Sequence, residues 1–83
     1  MTVSVERVQT GVRLEKRTLK VLKALAEYHD ISLGDLLEGI VLHVFEGKAP
    51  FNAATVAHIE RLKEVYGLTL TAADSHQLSE DPS

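Results

Sequence analysis

The residues best equipped for chemistry in this 83-residue chain are basic, and they crowd its first third. Arg7, Arg13, Lys16, Arg17, Lys20 and Lys23 stand against Glu6, Glu15, Glu27 and Asp30, so residues 1–31 carry +2. Residues 32–50 carry −2 and residues 51–83 carry −3, which brings the whole chain to −3. An acidic total weakens the prospect of a nucleic-acid partner, but the local field decides whether a polyanion approaches. Lys16 and Arg17 sharpen the point if they open a helix, because cations there oppose the dipole unless an anion lies near. The plainer reading of Lys16, Arg17, Lys20 and Lys23 is a solvated helix face.

Other chemistries lack their residues. With no Cys there is no disulfide, no thiolate metal site and nothing that points to an oxidising compartment. His29, His43, His58 and His76 are scattered without paired spacing, so a metal-sensing role is not expected. No nucleophile and base pair, Gly-rich phosphate loop or carboxylate cluster in an apolar setting is present, and neither an enzyme nor a cofactor is expected. The few Ser and Thr residues serve caps and turns.

The elements that must position the basic residues follow from periodicity. Val8, Thr10, Val12 and Leu14 alternate with Gln9, Gly11 and Arg13, which predicts a strand with one apolar and one polar, partly basic face, Arg7 just ahead of it. A lone strand leaves its N–H and C=O groups and its apolar face without a partner. The simplest partner is the same strand of a second copy, giving a two-stranded ribbon between chains. Small size without disulfides also favours an oligomer.

From Lys16 to Asp30 the period changes: Leu19, Leu22, Leu25 and Ala26 form a helical stripe, with Val21 and Tyr28 beside it. The His29-Asp30 pair marks the end without a Gly cap. Ser32, with Asp35 three residues on, predicts a capped second helix from Leu33 to about Phe45. Leu33, Leu36, Leu37, Ile40, Val41, Val44 and Phe45 cover an arc too wide for a helix with one buried side, and it suits burial against its own chain and a second copy. Gly34 and Gly39 each lower helicity by roughly 1 kcal/mol, so packing must compensate or a neighbour must approach closely.

Gly47 followed by Pro50 stops that helix. Asn52 caps a third, with Val56, Ile59, Leu62, Val65 and Tyr66 on one face and Gly67 closing it. The reading is therefore a flexible arm at 1–7, a core at 8–47, a C-terminal helical extension at 48–71 and a disordered acidic tail at 72–83. No apolar run approaches membrane-spanning length and the N-terminus carries Glu6 and Arg7, so no membrane partner and a cytoplasmic location are expected.

Strand, helix, capped turn and helix within about forty residues resemble the ribbon-helix-helix fold of the Arc, MetJ and CopG class of bacterial repressors. The likeness covers roughly residues 8–45 and rests on Arg13-Leu14 at the strand end, on Leu19, Leu22 and Ala26, on Ser32, and on Leu36-Leu37 with Ile40-Val41. It implies a mainly α, intertwined homodimer with an extra C-terminal helix, acting as a sequence-specific DNA-binding repressor. By that resemblance Gln9, Gly11 and Arg13 of each chain enter the major groove. Arg bonds guanine O6 and N7, and Gln bonds adenine N6 and N7. Gly11 departs from three reading side chains. Arg7, Lys16, Arg17, Ser32 and Leu33 would meet the DNA backbone, with Asp35 opposing a phosphate at the second helix. Val12, Leu14, Leu22, Leu36, Leu37, Ile40, Val41 and Val44 would form the dimer core.

Three other readings remain open. The third helix would bind a toxin if the chain were an antitoxin of this class. The dimer would be an interaction module if the polar face were merely solvated. Residues 68–71 would pair with residues 8–14 in the same chain if the fold were a different α+β one.

Overall fold

A computed structural model describes residues 2–80; Met1 and the end of the expected tail, residues 81–83, lie outside the described residues. Among the described residues three helices follow one another: α1 at Lys16–Tyr28, α2 at Leu33–Phe45 and α3 at Ala53–Tyr66, with a 3-10 turn at Ala72–Asp74. All three helices stand where the apolar spacing puts them, because caps and stops hold their ends. The amide of Asp35 donates to Ser32 Oγ at 3.1 Å, and that of Thr55 to Asn52 Oδ1 at 2.9 Å.

Each helix ends on a left-handed residue. Asp30 has φ 58°, Gly47 φ 70° and Gly67 φ 66°. The amides of Ile31, Lys48 and Leu68 reach back to Ala26, His43 and Lys63 O at 3.0, 2.9 and 2.8 Å, the 6→1 bond of a Schellman turn. Asp30 does the work that glycine does after α2 and α3, since a short polar side chain tolerates this conformation.

α1 lies in the middle, packed on α2 and on α3. Leu25, Ala26 and Leu36 are its buried cluster, with Leu22, Ile40, Phe51, Ile59 and Leu62 packed around them. Val21 is buried as well. Two residues of the expected α3 face, Ile59 and Leu62, thus serve the chain's own core, whereas Val65 is exposed.

The strand is where expectation and structure part. Among the described residues there is no strand or sheet, so the ribbon-helix-helix assignment is overturned: that fold needs a β-strand and this chain is all-helical. Residues 2–14 are non-helical chain, and no backbone–backbone hydrogen bond joins any of them to another described residue. Side-chain alternation selects an extended local shape, but a strand exists only where a neighbour completes its ladder. Leu68 to Thr71 makes no such bond to residues 8–14, so the alternative α+β pairing is absent too.

The residues expected in a dimer core divide accordingly. Leu36 is buried; Leu22, Leu37 and Ile40 are half-buried; Val12, Leu14, Val41 and Val44 are exposed. No helix among the described residues is long and apolar enough to cross a membrane.

Candidate nucleic-acid interface

The arm before α1 carries the polar residues singled out by the sequence, and Gln9, Gly11 and Arg13 are all exposed on it. Its two arginines are anchored elsewhere. Arg7 grips Glu38 of α2 with both arms of its guanidinium, Nε to Oε2 at 3.1 Å and Nη2 to Oε1 at 2.9 Å. That bond holds the Glu38 carboxyl below the usual glutamate range and raises Arg7. Arg13 Nη2 meets Glu80 Oε1 in the C-terminal segment.

The arm and the start of α2 share an open groove, lined by Arg7, Val8, Ser32, Asp35, Leu37 and Glu38 among others. Glu6 lies in it too, so three carboxylates surround the α2 N-terminus. An anion placed there would face these carboxylates beside Ser32, with Arg7 the one cation among the described lining residues and already paired with Glu38. Of the basic residues expected to share a backbone with Ser32 and Leu33, Arg7 lies in this groove with Ser32, and its guanidinium is taken by Glu38.

The α1 N-terminus resolves the puzzle of its cations. Glu15 caps it: the amides of Arg17 and Thr18 donate to the carboxylate at 3.1 and 2.9 Å, and Arg17 Nε adds a third bond at 3.1 Å. The anion that answers Arg17 is thus a neighbour in the chain. Arg17 also donates Nη1 to Gly67 O at 2.9 Å, tying the start of α1 to the end of α3. The amides of Arg17 and then Thr18 hold the Glu15 carboxyl down to about 2, against 4.5 for an unperturbed glutamate.

A folded-state value below the unfolded one stabilises the native chain above about 4.5, and the contribution is lost as pH falls from about 4.5 to about 2. Glu15→Gln is expected to lower the melting temperature at pH 7 and to flatten the fall between those two pH values. A variant melting curve parallel to wild type across that acid range would remove Glu15 from this role.

Lys16, Lys20 and Lys23 are exposed at spacings of four and three on one side of α1, and none has an ion-pair partner among the described residues. Their spacing was legible from the start, but periodicity alone assigns such a row to solvent. What distinguishes them from Arg7, Arg13 and Arg17 is that no carboxylate answers them.

Three of the four histidines make side-chain contacts. His58 of α3 stacks on Tyr28 of α1, ring centroids 3.8 Å apart, Tyr28 meets His29 edge-on at 5.2 Å, and His43 Nδ1 donates to Gly39 O at 2.7 Å. No family model, curated protein or solved structure matches the chain.

Proposed function

We propose that the chain is a cytoplasmic, non-enzymatic DNA-binding regulator that works as a homodimer, with the N-terminal arm and the α1 lysines turned to the duplex. The observation that carries it is the chain's division into one bare apolar face and one bare basic one. On α2, Val41, Leu42, Val44 and Phe45 are 41%, 63%, 56% and 79% exposed. A helix this apolar on several sides is buried in its working state.

A second copy is the best-matched cover. From Gly39 to Phe45 α2 carries no carboxylate, Lys or Arg, so the same face on another chain complements it by symmetry. Nothing lies within 4 Å of a Cβ built on Gly39, which leaves room for a close helix. The single chain is also open: its radius of gyration is 14.2 Å, against about 12 Å for a compact domain of this length.

In this reading Lys16, Lys20, Lys23 and Arg7 neutralise phosphates, while Arg13 and Gln9 set base preference. Phosphate contacts make binding fall steeply with salt. Arg13→Ala is expected to cost on the order of 1 to 3 kcal/mol of binding to a selected site, with the dimer intact. Selection from a random duplex pool, followed by filter binding of wild type and variant at two salt concentrations, tests this. Equal affinity of the two for the selected site rejects the role of Arg13, and no enrichment of any duplex rejects the DNA reading.

One observation favours a second reading, an interaction module that binds no DNA: both arm arginines are already ion-paired within the chain. The antitoxin reading is less favoured, since Ile59 and Leu62 of α3 are packed in the core of the single chain.

A further inference from the structure

We propose that the chain restrains its own arm: the Glu38 and Glu80 carboxylates occupy Arg7 and Arg13, and a duplex must displace them to engage the arm. This rests on the DNA reading above and adds its regulation. The arm makes no backbone–backbone bond to the described body and is joined to it by side-chain bonds. Two of those are the pairs that bracket Gln9 and Gly11, one at each end.

The Arg7 pair is two-pronged, using on one carboxylate the fork that a phosphate, or guanine O6 and N7, would otherwise receive. Glu38 is 31 residues from Arg7, and Glu80 is 67 residues from Arg13. The pairs therefore fasten the arm to α2 at one point and to the C-terminal segment at another. Glu38 is the stronger clamp in geometry, with two bonds to one guanidinium, and Arg7 lowers the pKa of its carboxyl. Both pairs are largely exposed, their side chains 46–84% accessible, so each is a weak, salt-screened competitor of phosphate. Such a clamp tunes affinity and does not abolish it.

The same charge change placed away from the arm separates a clamp from a mere gain in net charge. Glu64 of α3 is exposed and has no ion-pair partner among the described residues, so Glu64→Gln is the control. Full-length wild type, Glu38→Gln, Glu80→Gln, the double variant and the control would be titrated against a mixed-sequence duplex by fluorescence anisotropy, with helical content checked by circular dichroism. Each clamp variant is expected to bind about two- to fivefold tighter than wild type, and the double variant by roughly the product. The control is expected to gain clearly less than either. A double variant that gains no more than the control, while wild type binds, overturns the clamp and leaves the DNA reading standing. No binding by any of the five proteins overturns both.

Discussion

Leu25→Ala is expected to unfold much of the chain's cooperative structure well below the wild-type melting temperature. Leu25 is 1% exposed, the most buried large side chain among the described residues, and it sits where α1 meets both neighbours. Removing its branched end leaves a cavity that costs about 2 to 5 kcal/mol, because the surrounding side chains relax only partly. A domain of this length holds roughly 4 to 12 kcal/mol in all, at about 0.05 to 0.15 kcal/mol per residue. With a melting shift of about 4 to 8 °C per kcal/mol, the midpoint should fall by about 8 °C or more. Val65→Ala is the matched comparison. Val65 is 73% exposed, so its loss should stay within about 0.5 kcal/mol. Thermal unfolding followed by far-UV circular dichroism reads both. Equal midpoints for the two variants would mean that α1 does not centre the fold.

The same residues show why the helices were legible and the arm was not. Leu19, Leu22, Leu25 and Ala26 recur at helical spacing whatever their neighbours do, and Ser32, Asn52, Gly47 and Gly67 act on backbone groups a few residues away. Local signals of that kind survive in a bare sequence. The end of α1 was harder, because Asp30 takes the left-handed turn usually left to glycine. The start was harder still, because Glu15 is a longer cap than Ser, Asn or Asp and its role shows only once its carboxylate folds over Arg17 and Thr18. Alternation from Val8 to Leu14 reports an extended backbone and is silent about what lies alongside it. The α1 lysines were visible as a row. Arg7–Glu38 and Arg13–Glu80 were not, since tertiary placement alone brings residues so distant in sequence together.

The proposed dimer has its sharpest test at Phe45. In the single chain this ring is 79% exposed at the last turn of α2, so removing it should leave the fold of one copy nearly unchanged. Lysine is the informative replacement, because a cation at a helix C-terminus suits the dipole and the helix itself loses little. Across a two-fold axis the consequences differ. Each copy loses an aromatic anchor, commonly worth 2 kcal/mol or more, and each gains a charge that the partner's apolar face cannot solvate. Because both sides of a symmetric interface change together, the dissociation constant should rise by a factor on the order of a thousand, or about 4 kcal/mol. Sedimentation equilibrium at micromolar concentration should find twice the chain mass for wild type and a single chain mass for Phe45→Lys, with matching helical content. A wild type that sediments as one chain would leave the α2 face without its second copy. A dimeric Phe45→Lys would move the interface off this face, and the arms of the two chains would then no longer be brought to one duplex by α2.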